Sequence, residues 1–460
     1  MDVNEAQYKK MTEQPVSRLI TSLAVPTIIS MMVTAIYNTA DTYFVSQLGT
    51  SASGAVGIVM SLMSLIQSSG FLIGMGSGSW MSRLLGQKKD EEASEVAASG
   101  FYLALFLGLL ITIFGTIYLE PLVGMLGATE TIQPYAMEYA RYILYAAPLL
   151  ISSFSLNKML CAEGKARFAM VGIAAGGILN IFLDPVFIFV FDLGIAGAAI
   201  ATAISQAFSF CVLLYMYVSG RTIAKLNPSN MARTPGRYIQ IVKFGLPSFA
   251  RQGLASVAMI ALNTQAAVYG DAAVSAMAIA NKIFMLLFSV LIGFGQGYQP
   301  VAGYNYGAKK YARVNSAFIY KTRTATVFLT LLGVVGYIAA PTLIKLFIST
   351  DQEVVRIGTE AMRFQCMSLP FLPLGVCCNM TFQSIGKSAV ATFLSAARQG
   401  YVFFVVILAL PHLIGLRGVE LAQPVSDVIT FFICIPFTVG FFRELAQKEA
   451  QGEEKNKAEK

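Results

Sequence analysis

The stretch VPTIISMMVTAIYNTADTYF, residues 25–44, is almost wholly apolar, yet it carries a proline near its start, Pro26, and a carboxylate near its end, Asp41. A helix of about 20 apolar residues is long enough to cross a hydrocarbon core of roughly 30 Å. An ionised side chain inside such a helix costs roughly 2.5 to 3.5 kcal/mol, so those that are kept there usually face a cavity. The stretch therefore predicts a membrane helix that carries a functional acid.

The chain repeats the frame of this helix once, 221 residues later. The shift needs no gap over the first two helices and brings Pro26 onto Pro247, but it brings Asp41 onto Leu262. A purely structural acid would be expected in both copies, so we expect the ionisable chemistry to lie in the first copy only. The other matched pairs are Gly49 with Gly270, Gly74 with Gly295, Gly76 with Gly297, Gly86 with Gly307, Lys88 with Lys309, and Lys89 with Lys310.

Composition places the whole chain in a membrane. Of its 460 residues, 56% are hydrophobic and only 13% are charged, which is too few charges to solvate a globular surface of this size. Twelve apolar stretches are each long enough to span a bilayer as a helix. The sequence therefore predicts an all-α membrane protein with twelve transmembrane helices in two pseudo-symmetric six-helix bundles.

The longest polar loop divides the chain into two halves of six helices each. We predict an N-terminal bundle over residues 1–219, a cytoplasmic linker loop over 220–238, a C-terminal bundle over 239–442 and a cytoplasmic, partly disordered tail over 443–460. Because six crossings is an even number, both copies enter the membrane from the same side. The two bundles are then related by an axis along the membrane normal.

The net charge of +8 comes from basic residues that lie on one set of loops. Lys88 and Lys89 follow the second apolar stretch and Lys309 and Lys310 follow the eighth, whereas the opposite loops hold mostly acids such as Glu120. This is the positive-inside pattern of a membrane protein rather than a nucleic-acid-binding surface. We expect a multi-pass protein of the cell (inner) membrane with both termini in the cytoplasm and no nucleic-acid partner.

Sequence motifs for other kinds of chemistry are missing. The chain has no phosphate-binding GxxxxGK[ST] motif, so ATP is not expected to supply energy. Its six cysteines show no CxxC spacing and lie in or beside apolar helices, as small core residues do. No nucleophile has a plausible histidine base, so we expect a transporter without a cofactor and not a membrane enzyme or sensor.

Polar side chains inside the first six helices form the candidate site. Tyr37 lies one turn from Asp41, and Asn180 shares a helix face with Asp184 through the same i, i+4 spacing. Two carboxylates in one desolvated pocket favour retaining a proton or accepting a cation. The remaining candidates are Asn38, Tyr139, Asn157, Thr202 and Gln206.

The two acids also have a structural interpretation. Asp41 or Asp184 could cap a broken helix or pair with a cation such as Arg141. In the second half, however, Val406 stands at the position that matches Asp184, so neither acid is duplicated. Arg251 lies inside a predicted helix of that half, where we expect it to be a structural cation.

Residues 25–44, the GQKK turn, the CAEGKARF turn and the run LNIFLDPVFIFVFDLGIAGAAIATAIS together resemble the multidrug and toxic compound extrusion (MATE) family. The resemblance covers roughly residues 15 to 442. It implies two six-helix bundles arranged as a V, and an antiporter that exports amphipathic, often cationic organic compounds in exchange for H+ or Na+. The branch that it resembles most keeps its coupling acids in the N-terminal bundle.

The same resemblance assigns roles to individual residues. It implies that Asp41, Asn180, Asp184 and Thr202 bind the coupling ion, as a proton site or as a Na+ site, and that Pro26 is a bending point of helix 1. The residues that it places around this site are Tyr37, Tyr139 and Asn157.

One alternative function and the choice of ion stay open. The alternative is a flippase of lipid-linked saccharides or other lipids, from the same wider superfamily. Such a flippase is expected to have a strongly cationic cavity, whereas this chain concentrates buried acids. Two carboxylates with asparagine and threonine oxygens can bind either H+ or Na+, and we favour H+. We also expect small organic substrates, a surrounding lipid bilayer and a monomer.

Overall fold

The computed structural model describes residues 3–348 and 351–458. It is 89% helical, and no strand occurs within those ranges. The helices are α1 Val3–Glu13, α2 Val16–Ser46, α3 Thr50–Gly86, α4 Asp90–Ile117, α5 Leu119–Met125, α6 Gln133–Ala162, α7 Ala166–Pro185, α8 Gly194–Val218, α9 Pro235–Ala267, α10 Asp271–Gly307, α11 Tyr311–Phe347, α12 Gln352–Ser368, α13 Leu372–Ser384, α14 Ser388–Ala396, α15 Val402–Ile414 and α16 Leu416–Ala458.

The predicted fold class is confirmed, with one refinement in the count of apolar spans. Eleven helical segments in the described ranges are long and apolar enough to cross a membrane. The remaining predicted span is α9, which is 33 residues long but carries Arg237, Lys243 and Arg251. The division of the chain at residues 220–238 stays a prediction. Between α8 and α9 the chain forms only a short 3-10 turn, Pro228–Asn230.

Three membrane spans are interrupted part-way along their length. A π-helical turn, Val186–Val190, follows Pro185 at the end of α7, because a proline removes a backbone donor from the helix. A 3-10 turn, Leu369–Phe371, joins α12 to α13. Another π-helical turn, Ala397–Tyr401, joins α14 to α15, and within it Gly400 leaves helical geometry altogether. Such turns re-aim the side chains on them and are frequent at functional sites.

The C-terminal tail differs from the prediction of partial disorder. Helix α16 continues without a break from the last span to Ala458. Glu444 explains the beginning of this extension, since it accepts a hydrogen bond from Lys448 at 2.8 Å one turn further on and also pairs with Lys387. Lys448 in turn donates to the Tyr306 hydroxyl at 2.6 Å. The start of the tail is therefore an ordered helix fastened to the second bundle.

Glu163, in the turn after α6, holds the start of the linker against the first bundle. Its fully buried carboxylate accepts backbone N–H groups of Ile223 and Ala224, both at 3.0 Å, and pairs with Lys165 at 3.0 Å. Burial raises the pKa of the Glu163 carboxyl, and the Lys165 charge and the two N–H donors oppose that rise. The carboxylate thus supplies acceptors that the buried linker backbone needs.

The two bundles touch where backbone approaches backbone. A Cβ placed on Gly245 of α9 would lie 1.7 Å from the Leu72 carbonyl oxygen of α3, and one on Gly76 would lie 2.1 Å from the Ile241 oxygen. Only glycine permits such an approach of two helices. Two turns that match in the repeat carry Lys88 with Lys89 and Lys309 with Lys310, and we call them the lysine turns. Nearer these turns, a Cβ on Gly86 or Gly307 would lie 2.1 Å from a carbonyl oxygen of the other bundle.

Hydrogen bonds between the bundles lie at the same end of the molecule. Lys158 of α6 donates to Gln296 of α10 at 2.8 Å, and Thr27 donates to the Gly293 carbonyl at 2.7 Å. Within the described residues, every hydrogen bond that crosses between the bundles involves the half of the molecule nearer the lysine turns. The molecule is therefore closed at that end.

We expect Gly245→Ala to destabilise this closed end. The added methyl group has no space against the Leu72 carbonyl, and overpacking typically costs about 1–3 kcal/mol. The apparent melting temperature of the purified protein should fall, and transport should slow. Gly253→Ala is the matched control, because it lies in the same helix with nothing within 4 Å of its Cβ position. Equal melting temperatures for the two variants would contradict the backbone contact.

Candidate ion-coupling and substrate site

The candidate site lies inside the first bundle, where α2, α6, α7 and α8 meet. Asp41 on α2 is buried, and its Oδ2 accepts a hydrogen bond from the Tyr139 hydroxyl of α6 at 3.3 Å. Tyr139 is fully buried. The tyrosine thus orients one oxygen of the carboxylate across the interior of the bundle.

The second carboxylate, Asp184, lies on α7, two residues before that helix changes to π geometry. Asn180 donates through Nδ2 to Asp184 Oδ1 at 3.0 Å and to Thr202 Oγ1 of α8 at 3.3 Å. All three side chains are buried, and Asp184 is 0% exposed. Asp184 lies near enough to Asp41 for their negative charges to repel. The structure therefore brings together Asp41, Asn180, Asp184 and Thr202, with Tyr139 beside them.

Close helix packing forms this cluster. A Cβ on Gly177 of α7 would lie 2.8 Å from Val33 and 3.0 Å from Tyr37, both on α2. One on Gly176 would lie 2.7 Å from Ser209 of α8. Two adjacent glycines on α7 therefore let α2 and α8 approach it from both sides, which carries their polar groups into one pocket.

Three buried oxygen atoms in the cluster have no hydrogen-bond partner among the described residues. They are Asp41 Oδ1, Asp184 Oδ2 and Asn180 Oδ1. All three are acceptors, and burying an acceptor without a donor costs about 1–3 kcal/mol, more when the group is charged. A proton on a carboxylate, or a cation among the three oxygens, would satisfy them. The donor set is all oxygen, which suits a hard cation such as Na+.

No cation of the described chain neutralises these acids. Neither Asp41 nor Asp184 forms a salt bridge within residues 3–348 and 351–458. Arg141, the cation considered from the sequence, is exposed. Both acids also lie within long helical segments rather than at a helix N-terminus. The structure therefore gives no support to a capping or salt-bridge role.

The predicted substrate residues divide into two groups. Tyr37 is buried beside Gln206 of α8 and next to Asp41, and Asn38 follows it, half-buried, on the same helix. These residues line the same region as the acids. Asn157 does not, because it lies 18 residues after Tyr139 on α6, roughly 27 Å further along the helix.

Asn157 instead fastens α6 to α7. Its buried amide donates to the Ala169 carbonyl at 2.9 Å. In the second copy, Asn379 donates to the Ala391 carbonyl at 2.7 Å. The same bond thus occurs in both copies, as expected of a structural contact.

The expectation that ionisable chemistry is confined to the first copy is wrong. In the second bundle, Arg398 of the π-helical turn pairs with Asp427 of α16 at 2.8 Å, with Asp427 fully buried. Lys321 of α11 is also fully buried. Asp427 occupies the position that matches Gln206, one residue after the matched pair Ser205 and Ser426. The repeat carries a signal for it, because a neutral residue of the first copy is replaced by an acid in the second.

The architecture and the buried charges together define a polytopic helical transport protein. The MatE family model matches the chain twice, over residues 26–186 and 247–408, so that the two matches begin 221 residues apart. Relatives include the Multidrug export protein MepA of Staphylococcus saprophyticus, 28% identical over 88% of this chain and 90% of its own. The MepA of Staphylococcus haemolyticus is 26% identical over 94% and 95%.

A solved structure has the same fold. It is the outward-facing conformation of a multidrug resistance MATE family transporter of the MOP superfamily, with a TM-score of 0.90 and 26% identity over 98% of this chain and 99% of that one. The chain therefore belongs to the MATE family, whose members are secondary transporters and not enzymes.

We expect Asn157→Ala and Asn379→Ala to act on stability. Each leaves a buried backbone carbonyl without its donor, which costs about 1–3 kcal/mol. Asn379 also bonds Arg251, so its loss should cost at least as much. Thermal unfolding in detergent measures both effects, with Asn227→Ala as the control, because Asn227 is an exposed residue between α8 and α9. An Asn157→Ala protein of full stability but without ion-coupled transport would contradict this structural role.

Proposed function

We propose that this chain is a multidrug efflux antiporter that exports organic compounds while H+ moves inward. Two kinds of support point the same way. The relatives that match along nearly the whole chain are named multidrug export proteins. The first bundle also holds two buried carboxylates without a counterion in the described part of the chain, a costly arrangement that is usually functional in membrane helices.

The observation that carries the proposal is the set of unsatisfied acceptors at Asp41, Asp184 and Asn180. With the site deprotonated, two repelling carboxylates lie buried inside the bundle. A proton that binds one of them removes the repulsion and supplies a donor to the group. Proton binding therefore changes the charge of the site. It favours the packing of α2, α6, α7 and α8 that best accommodates the protonated, less charged carboxylates.

Between the two candidate ions, the geometry favours the proton. Thr202 Oγ1 already accepts from Asn180, and Asp41 Oδ2 already accepts from Tyr139. Three oxygens have no donor, so a metal cation would complete its shell only by sharing oxygens that already accept a hydrogen bond. A single proton needs only one carboxylate oxygen and one neighbouring acceptor. Na+ at Asp41, Asn180, Asp184 and Thr202 is the alternative.

The substrate is proposed to bind beside the same acids. Tyr37 and Gln206 are buried in the first bundle and Asn38 is half-buried, and together they offer an aromatic face and neutral polar groups. The negative charge of Asp41 would attract an amphipathic cation, and protonation of that acid would release it. Export would then follow from competition between proton and substrate for one negative site.

The closed end of the molecule suggests the direction of transport. The lysine turns lie at that end, and the positive-inside rule assigns them to the cytoplasm. The structure would then be open toward the outside of the cell membrane, with both termini cytoplasmic. Pro26 lies inside α2 next to the inter-bundle contact at Thr27 and 15 residues before Asp41, where a bend would alter how α2 presents the site. We propose a monomer that needs neither ATP nor a bound cofactor.

Efflux from proteoliposomes tests the proposal. A fluorescent organic cation is loaded, and an inward pH gradient or an inward Na+ gradient is imposed alone. We expect the pH gradient to drive efflux. Asp41→Asn and Asp184→Asn should each reduce driven efflux to the rate of dye-loaded liposomes without protein. Each substitution removes a proton-binding carboxylate while keeping the shape of the side chain.

Glu130→Gln is the matched control, since Glu130 is an exposed acid of the same bundle. It should transport like the unmodified protein. Efflux driven only by the Na+ gradient would show that Na+, and not H+, is the coupling ion at this site. Full driven efflux in both asparagine variants would show that the two acids are structural and would remove the proposed mechanism.

A further inference from the structure

A groove opens between α11 and α12 on the outside of the second bundle. It encloses about 500 Å³, a volume within the range of small-molecule sites, and all of its lining residues belong to these two helices. Only 22% of the apolar part of α11 is buried. Ile338 and Leu346, on the same helix, are 72% and 75% exposed. The groove therefore faces the lipid that surrounds the protein.

Three cations line the groove. They are Lys345 near the end of α11, and Arg356 and Arg363 on α12. None of the three forms a salt bridge within residues 3–348 and 351–458. The Arg363 guanidinium instead lies over the Tyr337 ring, 5.1 Å from its centre. These side chains are therefore free to bind an anion.

The acids nearby do not balance these cations. Glu360, the one acid in the lining, pairs with Arg417 at 3.0 Å. Glu420 is buried close to that pair, where Arg417 and one lining arginine act on its charge. Asp351 and Glu353, at the start of α12, do not line the groove. The three lining cations and Arg417 thus face two acids, which leaves an excess of two positive charges.

These cations lie far from the lysine turns. Helix α11 begins at Tyr311, directly after Lys310, and Lys345 lies 34 residues further on, roughly 50 Å along the helix. With the orientation proposed above, the groove lies at the outer side of the membrane, where the positive-inside rule places few cations. The orientation of the chain therefore does not account for them.

Charge and apolar surface are separated along the groove. Lys345 and Arg356 lie close to the turn that joins α11 to α12, whereas Met367 lies 11 residues after Arg356, roughly 16 Å further along α12. Met367 is 62% exposed, and Phe364 lines the groove beside it. Between the two regions, Thr359 Oγ1 is buried without a hydrogen-bond partner among the described residues. A phospholipid has the same order of groups, with a phosphate at the membrane surface, then ester oxygens, then acyl chains.

The geometry points to a binding site for an anionic phospholipid in the groove between α11 and α12. Its phosphate would accept charge-assisted hydrogen bonds from Lys345 and Arg356. The Thr359 hydroxyl would donate to an ester oxygen, and an acyl chain would lie along Phe364 and Met367. The excess positive charge favours a headgroup of net negative charge, such as phosphatidylglycerol, over a zwitterionic one. This inference goes beyond the proposed function, since no coupling acid takes part.

Quenching of one tryptophan by brominated lipids tests the site in a membrane. The chain has a single tryptophan, Trp80, so Trp80→Phe with Met367→Trp is a full-length reporter protein with its one tryptophan in the groove. It is reconstituted into mixtures of phosphatidylglycerol and phosphatidylcholine, with bromine on the acyl chains of one lipid at a time. We expect phosphatidylglycerol to bind about fivefold more tightly or better, because each cation at a membrane surface attracts an anionic lipid.

Removal of two cations tests the assigned residues. In the reporter protein, Lys345→Gln with Arg356→Gln should make the two lipids bind about equally while the melting temperature stays unchanged, because both side chains are exposed. Arg323→Gln with Arg443→Gln is the matched control, since it removes two exposed cations of the same bundle outside the groove. It should keep the preference for phosphatidylglycerol.

A second reporter distinguishes a site from a general attraction of anionic lipid. Trp80→Phe with Val405→Trp places the tryptophan on α15, at a residue that is 67% exposed and does not line the groove. It should show no preference. An equal preference at both reporters would overturn the proposal, as would equal quenching by the two lipids at the Met367→Trp reporter. An unchanged preference after Lys345→Gln with Arg356→Gln would also overturn it.

Inorganic phosphate distinguishes a lipid headgroup from a free anion. It is added in excess to the Met367→Trp reporter, with chloride at the same ionic strength as the control. We expect the preference for phosphatidylglycerol to persist, because the acyl chain adds contacts that a free ion lacks. Loss of the preference in phosphate but not in chloride would show that the groove binds a free phosphate ion, and the lipid proposal would be wrong.

Discussion

A charge enclosed by a membrane protein must be neutralised by something, and this constraint explains both halves of the molecule. In the second bundle the chain supplies part of the answer itself, because Arg398 pairs with Asp427, whereas Lys321 is buried there without a hydrogen-bond partner among the described residues. In the first bundle Asp41 and Asp184 have no counterion among the described residues, and their free oxygens are left to a proton or an ion. The same helical frame therefore holds one charged cluster that the chain neutralises in part and another whose neutralisation depends on a bound proton or ion.

Duplication alone does not separate functional from structural acids. Glu163 also belongs to the first copy only, since Ile385 stands at the matching position, yet its carboxylate is fully used by the linker backbone and by Lys165. Asn157, in contrast, is duplicated as Asn379 and makes the same bond. The property that distinguishes Asp41 is an unsatisfied oxygen, which depends on packing and which the sequence does not display.

Much of the first site was predictable because its members lie at short, regular spacings. Asn180 and Asp184 share a face of one helix, and six helices of one bundle have few ways to arrange their polar faces. The misses have physical reasons as well. The π-helical turn that carries Arg398 contains no proline, so the local sequence gives no sign of a break in the helix. Asp427 is hard to predict from the repeat because its counterpart in the first copy, Gln206, is neutral.

Helix α2 is the element that can connect ion binding with the contact between bundles. Thr27, the twelfth residue of α2, bonds α10 of the other bundle, and Asp41 lies 14 residues later, roughly 21 Å along the helix. A straight helix transmits a rotation over that distance but no local bend, since its backbone bonds resist bending. Pro26 removes one of those bonds next to Thr27. If a change of charge at Asp41 repacks α2 against α7, the resulting bend in α2 would be taken up at Pro26, where the two bundles meet.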